Sequence, residues 1–300
     1  MAVRDEQPFG FLVIDKPAGM TSHDVVAHVR RGTRVRQVGH AGTLDPMATG
    51  VLVVCVGAAT RLSEYVMAST KLYVATVRLG VETDTYDAEG RIMQRYPVDH
   101  LTTEAVEVAL ARFQGEQDQV PPMFSAIKQG GTKLYTLARQ GVEVARPPRR
   151  VWMETLLLDC DLPAMPDIRL AVACSAGTYI RSLAHDLGAM LGVGGHLVAL
   201  RRLRSGALFR PVAWDDLCSA LEGDRWRDLL LDERAALPHI PALDLTADEA
   251  GAVLHGRPIV PAEPPSGAAL RRAYAPGGRF IAILAHRDHR WQPVKVFPMP

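Results

Sequence analysis

Residues 39–59 read GHAGTLDPMATGVLVVCVGAA. Gly39, Gly42, Pro46 and Gly50 break up the first half too often for regular structure. VLVVCVGAA, at 51–59, is an unbroken apolar run of strand length and predicts a buried strand. The carboxylate of Asp45 therefore belongs to a loop delivered by the core and not to a solvated helix face. FGFLVIDKP (9–17) is a second buried strand, entering a proline turn. TSHDVVAHVRR (21–31) is a short helix capped by Thr21 or Ser22. KLYVATVRLG (71–80) alternates its side chains as a half-buried strand does, and GVETDTYDAEG (80–90) is a polar turn bounded by glycines.

Further on, LTTEAVEVALARF (101–113) predicts an amphipathic helix. A long excursion through QVPPMFSAIK, a Gly pair and the short helix KLYTLARQG precedes the extended VEVARPPRRVWMETLLLDC. Excursions of that length are lids, binding loops or disorder. IRLAVACS is a strand and TYIRSLAHDLGAML a helix. From about Pro238 the texture changes to one short helix, TADEAGAVLHG, and the brief strands RRAYA, GGRFIAILAH and QPVKVF. Strands and helices in non-alternating order predict an α+β fold with a mainly antiparallel sheet. At 300 residues, 48% of them hydrophobic, the chain is long enough for one large unit and a small one.

No apolar run is long enough to span a bilayer, and the opening MAVRDEQPFG lacks the pattern of a signal peptide, which predicts a cytoplasmic protein. The four cysteines are scattered and form no C-x-x-C pair, so they read as buried thiols and not as zinc ligands or disulfides. Neither G-x-G-x-x-G nor G-x-x-x-x-G-K-[ST] occurs, which removes both common nucleotide cradles. The net charge of +1 conceals a segregation. Residues 128–150 hold six Lys/Arg against one Glu, 271–295 six against one Asp, and 215–249 three Arg against ten acids. Two basic segments flanking an acidic one suit a nucleic-acid surface, and they also suit ordinary solvated faces.

An isolated aspartate in such a loop has few chemical uses. A metal site or a phosphoryl-accepting site needs further ligands nearby, and only His40 is close in sequence. A glycosidase pair needs a second carboxylate from elsewhere in the chain. A lone Asp partnered by a cation and acting as nucleophile or base remains open, as does a plain Asx-Pro turn.

GHAGTLDPMATG resembles the aspartate motif of the TruB family of bacterial tRNA pseudouridine synthases, and further stretches agree in order. DKPAGMTSHDVV (15–26) is similar to the family's Lys-Pro motif and KLYVATVRLGVETDTYDAEG (71–90) to its tyrosine motif. PPMFSAIKQGGTKLYTLARQGVEV (121–144) is similar to its RNA-gripping thumb. CSAGTYIRSLAHDLG (174–188) and GGHLVALRRLRSG (194–206) are similar to its arginine and leucine motifs. Leu72 and Tyr86 depart from the expected pattern, each standing where a polar residue is usual.

The resemblance implies a pseudouridine synthase fold over residues 1–237, with a thumb-like insertion at about 120–150. It also implies a small, β-barrel-like RNA-binding domain of the PUA type at 238–300. The implied reaction is isomerisation of uridine to pseudouridine in the T loop of tRNA, at position 55, by base flipping and without metal or cofactor. Asp45 is then the catalytic residue and Arg181 its cationic partner. Tyr73 stacks on the target base, Tyr179 and Leu200 line the uracil pocket, and His40 fills space near the vacated base. Lys16 and Pro17 support the loop. The implied partner is tRNA, held by its T arm and, through the C-terminal domain, its acceptor end. The implied enzyme is a monomer needing neither a membrane nor a protein partner. A non-catalytic RNA-binding protein and a glycoside-cleaving enzyme that releases the base are the competing readings. Binding alone requires none of the constellation Asp45, Tyr73 and Arg181, and the glycoside-cleaving reading requires water to reach the intermediate and free uracil to appear.

Overall fold

The computed structural model describes residues 8–125, 127–260 and 269–298, without the side chains of Lys128 and Lys133. The first seven residues, Ala126 of the thumb-like segment and positions 261–268 and 299–300 of the C-terminal region lie outside the described residues. In chain order the elements are β1 (Gly10–Lys16), α1 (Ser22–Thr33), β2 (Val38–His40), β3 (Thr49–Val56), α2 (Ser63–Met67), β4 (Lys71–Leu79), β5 (Val81–Thr83) and β6 (Ile92–Arg95). There follow α3 (Thr103–Leu110), β7 (Gly115–Gln119), β8 (Lys128–Gln129), β9 (Thr132–Lys133), α4 (Leu134–Arg139), β10 (Arg149–Asp159), β11 (Asp167–Cys174), α5 (Ile180–Met190) and β12 (Gly195–Ser205). The chain continues with α6 (Trp214–Glu222), α7 (Glu233–Ala236), β13 (Ala242–Asp244), α8 (Ala247–Leu254), β14 (Leu270–Ala275), β15 (Arg279–Arg287) and β16 (Arg290–Val296).

One eight-stranded sheet forms the body, in the order β1-β3-β12-β4-β11-β10-β7 with β2 paired to β3. Its pairings are antiparallel except for a short parallel contact between β12 and β3. The fold is thus α+β and mainly antiparallel, as the order of elements predicts. Residues 195–205 carry no strand expectation, yet they supply β12 at the centre of the sheet. Helices α6 and α7 of the acidic 215–249 stretch are likewise unannounced by periodicity, whereas α8 falls where TADEAGAVLHG predicts it.

Strand β4 keeps its alternation: Tyr73, Ala75, Val77 and Leu79 face the main core, and the residues between them are partly exposed. Helix α1 resolves the choice of cap. Thr21 accepts from Asp24 N at 3.1 Å and Asp24 returns the bond to Thr21 N at 2.8 Å, a reciprocal box that satisfies two orphan amides. Ser22 is freed to turn inward.

The sheet's two faces are covered differently. One carries the main core, which β1, β3, β4 and β11 share with α1, α3, α5 and α6. On the other face Phe11, Val13, Val51 and Val53 pack with Leu62 and Leu237 and with Ile283 and Phe297 from the C-terminal strands. Burying a side chain of that size stabilises by roughly 1.5–3 kcal/mol, so the C-terminal region is welded to the sheet and not loosely tethered. It also has a core of its own, built on Val253, Ile281, Leu284 and Trp291. Its described strands form an open four-stranded sheet, β13-β14-β15-β16, and not a closed barrel.

Candidate active site

The Asp45 loop leaves β2 and returns into β3, so both its ends are anchored in the sheet. Two buried cations and one hydroxyl fix its backbone. Arg202, on β12 and only 2% exposed, donates to Val51 O at 2.6 Å, Gly42 O at 3.1 Å and Thr43 O at 3.3 Å. Lys16, at the end of β1 and fully buried, donates to Met20 O at 2.6 Å, Pro17 O at 2.8 Å and Pro46 O at 3.1 Å. Ser22 accepts from Leu44 N at 2.8 Å and donates to Leu44 O at 3.1 Å. Loop carbonyls before and after Asp45 are therefore satisfied by side chains, which the loop needs because it has no ladder partner there. Gly50 is required by contact: a Cβ there would lie 2.2 Å from Arg202 O, and its φ is +95°. Burial pushes the Lys16 ammonium down to about 8, although the charge of Asp45 pulls the other way. Lys16 acts on the loop as its sequence context predicts.

With the backbone tied elsewhere, the Asp45 carboxylate is left to Arg181. Arg181 Nε meets Asp45 Oδ2 at 2.9 Å and Nη2 meets Oδ1 at 3.1 Å, a bidentate fork. The arginine side chain is 7% exposed and the aspartate 32%, so the cation is sealed in while the carboxylate still faces solvent. Three further acceptors use up the guanidinium: Phe124 O at 2.9 Å, Thr85 O at 3.2 Å and Asp87 Oδ2 at 3.5 Å. Asp87 is itself buried, and it accepts from Thr85 Oγ1 at 2.5 Å and Glu89 N at 3.1 Å. Arg181 is thus clamped between two carboxylates, one exposed and one interior. Its helix is pinned as well, because the Gln119 amide bonds Tyr179 N at 2.8 Å and Tyr179 O at 3.0 Å.

The other expected residues fall as follows. Tyr73 is 9% exposed on the core face of β4, and its hydroxyl lies 3.5 Å from Arg202 Nη1. Burial pushes its phenol up, with Arg202 opposing. Leu200, 8% exposed, lies on β12 across from Ala75, two positions from Tyr73 on the same strand. Tyr179 caps α5, and burial pushes its phenol up. His40 ends β2 with its ring edge-on to His23, centroids 5.2 Å apart, and its Nδ1 has no partner among the described residues. Burial and then His23 push its pKa down, so the neutral ring is favoured. Asp45 pairs with Arg181 and Tyr73 with Arg202, and the two pairs are joined through the loop carbonyls of Gly42 and Thr43 that Arg202 binds. His40 and Tyr179 enter from the ends of β2 and α5.

Sequence reasoning missed Asp87 and Arg202. Asp87 reads as one more polar residue of a turn. Arg202 lies two positions from Leu200 and shares its inward face, a relation that only the placement of β12 in the sheet reveals. Among the described residues no three His, Cys, Asp or Glu side chains gather as a metal site, and no helix is long and apolar enough to cross a membrane.

The sequence and the fold are similar to those of known proteins. Residues 30–180 match the model of the TruB family pseudouridylate synthase N-terminal domain. Residues 181–235 match that of the tRNA pseudouridylate synthase B C-terminal domain, and 240–298 that of the tRNA pseudouridine synthase II C-terminal region. The tRNA pseudouridine synthase B of Thermobifida fusca is 46% identical over 296 residues, covering 96% of this chain and 98% of the relative. The enzyme of the same name from Mycobacterium tuberculosis H37Rv is 48% identical over 293 residues, covering 96% and 95%. Among solved structures, a chain of a Cbf5-Nop10-Gar1 complex superposes with a TM-score of 0.72 at 26% identity, covering 97% of this chain and 85% of that one. The chain belongs to the TruB family of pseudouridylate synthases.

Proposed function

We propose that this protein converts the T-loop uridine of tRNA, position 55, to pseudouridine, with Asp45 as the group that acts on the nucleotide. The general activity, isomerisation of uridine to pseudouridine in tRNA, is that of its family and of the enzymes it resembles. The observation that carries the role of Asp45 is its bidentate pairing with a sealed arginine while its own carboxylate stays a third exposed. Such a group is accessible to a nucleotide and already oriented before one arrives. The uridine leaves the stack at a cost of about a few kcal/mol, offset by contacts in the pocket. Tyr73, Tyr179 and Leu200 supply its walls, and the neutral ring of His40 fills the space beside it. Asp45 attacks C1′, attacks C6 of the base, or takes the C2′ proton. Each route needs the carboxylate at this position and returns it unchanged when C5 is joined to C1′.

The T arm lies across the 120–150 segment, and the catalytic unit runs from 1 to 237. Residues 238–300 act as a PUA-type unit against the acceptor end. Arg272 is 8% exposed and bonded to Ile240 O at 2.7 Å, so the phosphate contacts there fall to exposed side chains such as Arg279. We read the enzyme as a monomer that needs no protein partner, and a tRNA substrate suits a cytoplasmic enzyme. The test is carbodiimide labelling and primer extension on unmodified tRNA, with wild type and Asp45→Asn. The wild type should mark the T-loop uridine. Asp45→Asn, nearly isosteric, should bind tRNA normally and lose more than about a thousandfold in rate. Activity above that level in the variant overturns the assignment.

A further inference from the structure

The first turn of α1 touches the Asp45 loop and its entry strand at two consecutive residues. Ser22 closes two hydrogen bonds on Leu44, and His23 lays its ring against that of His40, with centroids 5.2 Å and planes 85° apart. The backbone that presents His23 is fixed on both sides. Before it stands the buried Ser22, and after it Asp24, whose carboxylate accepts from the Thr21 amide at 2.8 Å and the Thr21 hydroxyl at 2.7 Å. Further along the helix Arg30 donates to Val38 O at 2.9 Å, which ties α1 to the strand that ends at His40. His23 itself is exposed.

His40 has a fixed backbone and a ring that the backbone does not orient. Its main chain pairs with Val54 in the sheet, and the next amide, Ala41 N, donates to Val53 O at 2.8 Å. The residue is half-buried, and its Nδ1, shut away from solvent, has no hydrogen-bond partner among the described residues. No hydrogen bond at Nδ1 therefore selects the tilt of this ring, and packing has to do so. The aromatic group packed on it is His23. An edge-on ring pair at this spacing has a preferred geometry, so it sets an orientation as well as a distance.

We propose that His23 is a positioning residue that holds the His40 ring in the space beside the flipped uridine, on the reading of Asp45 and His40 given above. The capped first turn of α1 is rigid, and it lends that rigidity to a side chain which its own strand leaves unpinned. If the His40 ring swings away, the space beside the base reopens and the flipped nucleotide is held less well. His23 acts through His40 and not on the reacting atoms. Its loss therefore lowers the rate at saturating RNA, while binding of the whole stem-loop, which is spread over a wider surface, persists.

The test uses the full-length protein carrying His23→Ala, His23→Phe, His40→Ala or His23→Ala with His40→Ala, and Asp45→Asn beside them, on an unmodified T-arm stem-loop. His23→Ala should lower the single-turnover rate about three- to tenfold, the worth of one edge-on ring pair. The dissociation constant and the melting temperature should hardly move, since His23 is exposed and the cap of α1 is untouched. Phenylalanine keeps a ring against His40 and removes both nitrogens, so His23→Phe should recover most of the wild-type rate. In a protein that already carries His40→Ala, adding His23→Ala should cost nothing further. A wild-type rate in His23→Ala overturns the positioning role. So does a His23→Phe as slow as His23→Ala, because the nitrogens and not the ring would then matter. Losses that multiply in the double variant overturn it too, because His23 would then act on the RNA by itself. The controls keep the readings apart. An active Asp45→Asn sinks the assignment of the site, and a fully active His40→Ala sinks the role of that ring. A slow His40→Ala beside a fully active His23→Ala removes the positioning alone.

Discussion

The Asp45 loop and the 120–150 segment lie against the same guanidinium and are held by opposite means. Arg181 Nη2 donates to Asp45 from the one and to Phe124 O from the other. The loop's backbone is fixed from outside by Lys16, Arg202 and Ser22, all buried and all drawn from other elements. The segment mainly contacts itself: two-residue strands β8 and β9, the six-residue α4, Gln129 to Ala145 O, and Arg139 over Tyr135. On the proposed reading the contrast has a use, because a reacting carboxylate has to be placed before the substrate arrives whereas a surface that grips RNA has to yield to it. Substitutions on either side can undo this contrast.

The largest effect is expected at Lys16. Lys16→Met keeps the volume but leaves Pro17 O and Met20 O without their donor inside the protein. Two unsatisfied carbonyls cost about 2–5 kcal/mol, so the melting temperature should fall by several degrees and activity should fall with it. If the variant melts like wild type, the loop is held by something other than its cations. Arg181→Lys comes next and acts on chemistry more than on stability. The charge stays, but one ammonium cannot reproduce a fork to Asp45 together with bonds to Thr85 O, Phe124 O and Asp87. Turnover should drop about a hundredfold while T-arm binding persists. A wild-type kcat would dissolve the pairing as a functional unit.

The same contrast explains what the sequence disclosed. Asp45 and Arg181 were legible because a glycine-spaced loop and an ordered series of motifs identify residues by local context. The support role of Lys16 was legible because a lysine beside a proline turn has few places to go. Arg202 and Asp87 were not, since what makes each important is burial, and burial is set by long-range pairing. Arg202 depends on β12 lying between β3 and β4, which no periodicity announced: β12 has bulges at 197/199 and 202/204 that interrupt its alternation. Tyr86 was noticed as a departure, but its stacking partner His185 comes from an element distant in sequence. The basic count of 271–295 also misled in part. Arg272 is spent on the seam with α7, where Glu233 accepts from Tyr274 at 2.9 Å. Because Ile283 and Phe297 share a core with Phe11 and Val53, point substitutions test this region more cleanly than removing it.

On the side of the segment, Arg139→Ala with Arg149→Ala should leave the melting temperature unchanged, because both side chains are exposed. Binding of tRNA should weaken, with the slope of log K against log salt falling by about one for each phosphate no longer neutralised. An unchanged slope would mean that the segment does not follow the backbone. A lower melting temperature would mean that it is more firmly built than its contacts indicate.

The smallest effect is expected at His185, which stacks on Tyr86 and lies on the helix that carries Arg181. The hydrogen bond that the ring donates to Asp186 comes first among the influences that raise its pKa. The charges of Asp186 and Glu82 add to it, and burial opposes. Three groups face the ring: Glu82, Asp186 and the stacked Tyr86. A histidine whose folded pKa lies above its unfolded value contributes its full stabilisation below the unfolded pKa. That contribution is lost as the pH rises through the folded pKa. His185→Gln should therefore melt below wild type at pH 5.5, by an amount worth about 1 kcal/mol or less for a partly exposed pair, and should match it near pH 9. The two melting curves should converge as the pH rises. If they stay equally separated across the range, the ring contributes by stacking on Tyr86 and not by its charge. If they diverge on the alkaline side, the folded pKa lies below the unfolded one and the carboxylates are not its dominant partners.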